Sequence, residues 1–287
     1  MSAAQVEQAP AKINLTLRVL GRREDGYHRL ESLVAFADLA DTLTLQPGGA
    51  TTLDMSGPFA AACGPAADNL VLKALAALRE RVAGLQAGRF ALEKNIPVAA
   101  GLGGGSADAA AALRLLARAN GLAPGDPRLA AAALAAGADV PVCLDPEARI
   151  MRGVGDELSA ALDLPPLPAL LVNPGVALAT RDVFAAFAGN QESQKPQANV
   201  PRERDALIEW LSAHGNDLTQ AATARVPVIA DVLTALDALP GARLVSMSGS
   251  GPTCFALFAS PGEAAAAAER LAVDRTDWWV FPATIGP

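Results

Sequence analysis

Residues 101–106 read Gly-Leu-Gly-Gly-Gly-Ser, and no other stretch restricts the fold of this chain so strongly. A short strand pattern over Phe90–Lys94 and the segment Pro97-Val98-Ala99-Ala100 lead into it. ADAAAALRLLARANG follows at once, a strong helix pattern of Ala, Leu and Arg that stops at Gly121. Consecutive glycines let backbone N–H groups turn inward and approach an anion with no Cβ in the way. The helix N-terminus adds unpaired donors and a partial positive charge. A flexible linker is the other meaning of such a run, but linkers do not sit flush between a strand–proline and a helix. Two familiar phosphate motifs are excluded. A Walker A loop needs Lys after its last Gly, where Ser106 stands, and the dinucleotide fingerprint needs Gly at that same position. Asp108 falls in the first helical turn, where it would repel a phosphate unless it faces away or meets a metal ion.

An anion-binding loop is notable here because the chain is acidic. Its 287 residues carry a net charge of -7 and show no Lys/Arg cluster, so the sequence predicts no nucleic-acid partner. An anion must be held by local devices rather than by the global field. Half the residues are apolar, yet Asp, Arg and Gly interrupt every Ala-rich stretch, and no membrane partner is expected. The N-terminal MSAAQVEQAPAK lacks a basic region followed by an apolar one, so it does not read as a signal peptide. Cys63, Cys143 and Cys254 form no zinc or redox spacing and read as three buried thiols in a reducing cytoplasm. The oligomeric state is not set by these features.

The length favours two domains, placed at 1–155 and 156–287. Lys12–Val19 alternates apolar and polar residues, which predicts a half-buried strand with Lys12 and Asn14 on one face. A polar turn, Gly21–Gly26, separates it from a second strand over Leu30–Leu39. Leu43–Gln46 and Thr51–Met55 flank Pro47-Gly48-Gly49 and suggest a hairpin. Asp68-Asn69 is placed to cap a helix over 70–82, and Leu129–Ala136 is a further helix ended by Gly137. Beyond the prolines at 165, 166 and 168 the pattern alternates. Strands are expected at Ala169–Asn173, Arg243–Ser248, Thr253–Phe258 and Trp278–Phe281. Helices are expected near Arg181–Phe187, Arg202–Leu211, Leu218–Ala224, Ile229–Leu239 and Gly262–Leu271. The polar run Asn190–Asn199 reads as a disordered loop.

Several residues stand out for chemistry. Asp139, in the turn after the Leu129–Ala136 helix, suits either an Asx turn or a rigidly held carboxylate. Lys12 on its strand is a solvated lysine or a cation for such a carboxylate. Tyr27 is the only tyrosine and His28 one of two histidines, the other being His214, which carries no motif and is expected at the surface. Ser106 suits a helix cap, or a hydroxyl for phosphate or Mg²⁺.

Three motifs converge on a family. Pro97 to Ala107 (Pro97, Val98, Ala99, Ala100, Gly101, Leu102, Gly103, Gly104, Gly105, Ser106, Ala107) resembles the central phosphate-binding motif of the GHMP kinases. Ala9–Asn14 resembles their first motif and Ser248–Thr253 their third. Lys12–Leu15 with Asp25-Gly26-Tyr27-His28, then Gly137–Pro141 and Asn216-Asp217-Leu218, are similar to the diphosphocytidyl-methylerythritol kinases of the non-mevalonate isoprenoid pathway. The resemblance implies an α+β fold with an N-terminal domain like ribosomal protein S5 domain 2 and a ferredoxin-like C-terminal domain, with both substrates meeting in a cleft between them. It implies ATP as phosphoryl donor and Mg²⁺, with no ligands identified for the metal, and a cytidine diphosphate-linked polyol phosphorylated at its 2-hydroxyl. It places Asp139 as catalytic base with Lys12 against it. Asn14, Tyr27 and His28 then bind the substrate, with Phe184 as a second stacking face and Gly249, Ser250 and Gly251 beside the phosphates. Homoserine or mevalonate kinases share the glycine loop but are not expected to carry Asp25–His28. A regulator without catalysis would not need Lys12 and Asp139, and an RNA-binding module fits neither the acidic charge nor the single tyrosine.

Overall fold

The computed structural model describes residues 3–22, 28–188 and 199–286. Tyr27, with Asp25 and Gly26 of its motif, lies outside the described residues, and so do residues 190–198 of the expected Asn190–Asn199 loop. The chain divides into two compact units, each assembled from separate stretches. One comprises Met1–Lys12, Leu39–Val98 and Gly103–Pro146; the other comprises Ile13–Asp38, Ala99–Leu102 and Glu147–Pro287.

In the first unit, strand Gly88–Glu93 pairs antiparallel with the Thr42–Pro47 part of a long strand, His28–Pro47, and parallel with Thr52–Ser56. Helices Leu70–Arg79, Gly104–Ala119 and Pro127–Ala136 and the short Val140–Cys143 pack on one another. Asn69 caps the first of these, its side chain accepting from the Val71 N–H at 2.9 Å. The small faces of Ala109–Ala112 are fully buried, which lets the glycine-loop helix sit close to its neighbours.

In the second unit, residues 30–34 of the long strand pair with Arg149–Gly153, and the strand's start pairs with Arg18–Arg22. Leu167–Asn173 lies between Cys254–Leu257 and Trp279–Ile285, all antiparallel, and Leu244–Met247 adds to Cys254–Leu257. All seven residues of Leu167–Asn173 are buried, as a central strand covered on both faces requires. Helices Thr180–Ala186, Arg204–His214, Thr219–Arg225, Val228–Asp237 and Pro261–Asp274 complete this unit, and most supply its apolar core.

Four expectations change. Leu43–Gln46 and Thr52–Ser56 do not pair as a hairpin, because Gly88–Glu93 lies between them. Lys12–Val19 is no half-buried strand: strand Gln5–Asn14 ends inside it, and residues 11–17 are all buried. Cys143 and Cys254 are buried thiols, pushed up in pKa by burial, but Cys63 is only partly buried. His214 is half-buried, stacked on Trp210 with ring centroids 3.9 Å apart.

Candidate functional site

The glycine loop is built from strain and close approach. Ala99 (φ 53°) and Gly101 (φ 75°) both adopt left-handed backbone, which only glycine accepts cheaply. Thr253 N–H donates to the Ala100 carbonyl at 3.2 Å, and Ser248 Oγ donates to the Gly101 carbonyl at 2.9 Å. Ser248 Oγ in turn accepts from the Asn14 N–H at 3.1 Å. A Cβ on Gly101 would lie 2.7 Å from the Ser248 carbonyl oxygen and 2.8 Å from that of Gly251. Loop tip and second glycine turn therefore pack backbone against backbone. Gly101→Ala is expected to destabilise this packing by about 1–3 kcal/mol, read as a lower midpoint in chemical denaturation.

The helix begins at Gly104, with Gly103 (φ 63°) as its N-cap residue. Gly104, Gly105 and Ser106 thus form the first turn, and Ser106 is not the cap that its position suggested. The chain needs a left-handed residue at the entry, and Gly103 supplies it without a side chain. The space its Cβ would fill belongs to the Lys12 stem, whose Cβ and Cε would be 3.1 and 3.2 Å away.

Lys12 Nζ lies 3.0 Å from Asp139 Oδ2. The Lys12 side chain is 4% exposed and that of Asp139 is 39% exposed. A buried ammonium thus backs a carboxylate that a ligand can reach. Asp139 is the N-cap residue of Val140–Cys143 but makes no side-chain cap bond, so the Asx turn does not form and the carboxylate is left for Lys12.

A buried ion cluster supports the same loop, and the sequence reading missed Lys94 at its centre. Lys94 Nζ donates to Asp108 Oδ2 at 2.7 Å and to Asp41 Oδ2. Asp41 Oδ1 accepts from the Ile96 N–H at 2.9 Å and from the Asn95 N–H. All three ionisable side chains are under 5% exposed. Asp108 Oδ1 is buried with no hydrogen-bond partner. Burial, only partly offset by Lys94 and reinforced by Asp41, pushes the Asp108 carboxyl up to about 7. For Lys94, burial pulls the ammonium down, and the two carboxylates outweigh it and raise it. The one sequence signal was position, since Lys94 lies three residues before Pro97 at the start of the loop and Asp108 directly follows Ala107 at its end.

The second unit gathers the other candidates in two places. Asn14 donates through Nδ2 to Ser32 Oγ at 2.7 Å, and its Oδ1 would lie 3.1 Å from a Cβ on Gly249. Ser250 Oγ lies 2.9 Å from Thr180 Oγ1, a residue that no motif singled out. Asn216 Nδ2 donates to the carbonyls of Met247 and Gly249, both at 2.7 Å, while Asp217 Oδ2 accepts from the Val19 N–H at 2.9 Å. These two residues brace the glycine turn and the Arg18–Arg22 strand. Separately, His28 stacks on Phe184 with ring centroids 5.0 Å apart, and Phe187 meets its edge at 6.4 Å. Burial, with help from Arg22, lowers the His28 pKa and favours the neutral ring.

Comparison with known proteins identifies the family. Residues 69–145 match the model for the GHMP kinases N terminal domain, and residues 198–273 match that for the GHMP kinases C terminal. The 4-diphosphocytidyl-2-C-methyl-D-erythritol kinase of Rhodopseudomonas palustris (strain BisB5) is 55% identical, over 96% of either chain. The kinase of that name from Nitrobacter hamburgensis (strain DSM 10229 / NCIMB 13809 / X14) is 56% identical, over 97% of this chain and 95% of its own. A crystal structure of a 4-(cytidine 5'-diphospho)-2C-methyl-D-erythritol kinase superposes with a TM-score of 0.79 at 37% identity, covering 99% of this chain and 100% of that one. The α+β fold expected from the motifs is the fold of these relatives. Together the two matched regions, the full-length relatives and the shared fold lead to one conclusion: the chain belongs to the 4-diphosphocytidyl-2-C-methyl-D-erythritol kinases, within the GHMP kinase family.

Proposed function

We propose that the chain transfers the terminal phosphoryl group of ATP to the 2-hydroxyl of 4-diphosphocytidyl-2-C-methyl-D-erythritol, with Asp139 as the base. The observation that carries this reading is the 3.0 Å pair of a buried Lys12 and an accessible Asp139. The hydroxyl oxygen forms a bond to the γ-phosphorus, its proton passes to Asp139, and the bond from that phosphorus to the bridging oxygen breaks to release ADP. The Lys12 ammonium, 3.0 Å from Asp139, is placed to stabilise charge developing on the attacking oxygen. The loop from Pro97 to Ala107 holds the triphosphate through backbone N–H groups and the helix N-terminus. Gly249, Ser250 and Gly251 support phosphate groups of the two substrates. Such a reaction depends mainly on positioning and charge, so few side chains suffice.

Magnesium fits this site as the companion of ATP. Among the described residues no three His, Cys, Asp or Glu side chains are grouped as a metal site, and Asp108 is already matched by Lys94. The nucleotide's own phosphates would supply most of the ion's oxygen ligands, with the Ser106 hydroxyl as a further one. When bound, the ion neutralises phosphate charge.

His28 and Tyr27 are assigned to the cytidine end. A neutral imidazole offers one donor and one acceptor to a base edge. Phe184 stacks on His28 at 5.0 Å and so orients that ring. His28→Ala is expected to raise KM for the cytidyl substrate about tenfold or more, with KM for ATP unchanged. Steady-state kinetics with each substrate varied in turn checks this. No helix among the described residues is long and apolar enough to cross a membrane, and we place the enzyme in the cytoplasm with small-molecule partners and no nucleic acid.

The function is tested by ADP release from the purified protein with Mg-ATP and, in turn, diphosphocytidyl-methylerythritol, homoserine, mevalonate and phosphomevalonate. Turnover on the cytidyl substrate alone is expected. Turnover on another acceptor would overturn the assignment of Tyr27 and His28.

A further inference from the structure

Asp139 and Lys12 meet at 3.0 Å from two elements far apart in the chain. Asp139 opens a four-residue helix, Val140–Cys143, far too short to be stable alone. Lys12 lies near the end of strand Gln5–Asn14. That strand is held by its pairing with His28–Pro47, but neither this pairing nor the short helix ties the lysine to the aspartate's segment. Arg114, in the middle of the glycine-loop helix Gly104–Ala119, does so.

Its guanidinium makes four hydrogen bonds in one fork. Nε donates to Glu7 Oε2 at 2.7 Å and Nη2 to the Gln8 carbonyl at 2.8 Å, both on the Lys12 strand. Nη1 donates to the carbonyls of Cys143 at 2.7 Å and Leu144 at 3.4 Å. Those carbonyls end the short helix, where no intrahelical donor remains. One planar, always-charged group therefore joins the phosphate-loop helix, the strand of the lysine and the segment behind the aspartate. The side chain is 20% exposed, and the bonds to Glu7, Cys143 and Leu144 are part-buried while that to Gln8 is exposed.

We infer that Arg114 is a positioning residue for phosphoryl transfer, holding Lys12 and Asp139 in register with each other and with the phosphate loop. The inference rests on the role proposed above for that pair. Arg118, one turn further along the helix, supplies an internal control. It grips the same strand, pairing with Glu7 Oε1 and donating to the Val6 carbonyl at 3.1 Å, but it has no contact with the segment after Asp139 among its hydrogen bonds.

The test compares Arg114→Met, Arg114→Lys and Arg118→Met in the full chain, with Asp139→Asn alongside. Each is measured for kcat, for KM of both substrates and for melting temperature. A misplacement of about 1 Å costs on the order of a hundredfold, so Arg114→Met is expected to lose about tenfold to a hundredfold in kcat. Its KM values should stay within about threefold. Arg114→Lys keeps the charge but lacks the fork, and should remain about fivefold or more below wild type. Arg118→Met should keep kcat within about twofold, since only strand contacts are lost. Equal kcat losses in Arg114→Met and Arg118→Met, or a loss at Arg114 carried by KM for ATP, would overturn the inference. Should Arg114→Met not fold, a wild-type kcat in Arg114→Lys overturns it equally. If Asp139→Asn is inactive while the Arg114 variants are active, only this inference fails. If Asp139→Asn is fully active, the reading of the pair itself fails.

Discussion

Asp139→Asn is expected to lower kcat about 10²–10⁴-fold, the usual contribution of a positioned proton acceptor. The amide oxygen can still accept from Lys12, so the 3.0 Å contact has a ready substitute and the fold should be preserved. What is lost is a group able to take up the substrate's proton. Binding of ATP should survive, because the phosphate loop is held by Ser248 and Thr253, which do not touch Asp139. Single-turnover kinetics with saturating ATP separates the two quantities. A variant that turns over within about tenfold of wild type would remove Asp139 from the chemistry and leave positioning as the dominant effect.

Lys94→Met should produce the largest loss of stability. It would leave Asp41 and Asp108, 0% and 2% exposed, without the cation that separates their charges. Removing one partner of a buried ionic cluster typically costs about 3–5 kcal/mol. Asp108 also makes a pH signature in the wild type. Its folded pKa, about 7, lies above the ordinary 3.8, so between these values the folded state holds a proton that the unfolded chain has released. Stability must therefore fall as pH rises through that window. Asp108→Asn cannot titrate, so its stability relative to wild type should increase from pH 4 to pH 7. Denaturant unfolding at several pH values checks both statements. A pH-independent difference between Asp108→Asn and wild type would mean that the carboxyl is ionised in the fold throughout.

Local patterns were readable from sequence, and long-range pairing was not. The helix after the glycine loop, and the strands and helices beyond residue 165, lie within a few residues of their expected places, because Gly, Pro and periodic apolar residues mark them locally. The strand His28–Pro47 was read as two pieces because Asp41 looks like a break in an apolar run. It continues because Lys94, 53 residues away, and two backbone N–H groups satisfy that carboxylate. Lys12 looked half-exposed because alternation says nothing about what covers the second face. Asp108 was expected either to face away from phosphate or to meet a metal ion, and its buried partner is instead Lys94. Arg114 carried no signal, since its partners lie 107 and 29 residues away. Thr180 was invisible for the same reason, being set against Ser250 from 70 residues away.

The edge pairing of the second unit has a consequence for how the protein is made. Thr284 N–H donates to Asp38 Oδ1 from 246 residues away, and Ile285 is paired with Ala37. On the ribosome, Leu167–Asn173 must therefore wait for Trp279–Ile285 before its sheet can close. Until then a strand that the fold buries along its whole length has an open edge, in a topology whose loop closure is slow. Truncation before Trp279 would leave that edge uncovered in a finished chain, and such products should collect in aggregates or go to proteases rather than persist as a weaker enzyme.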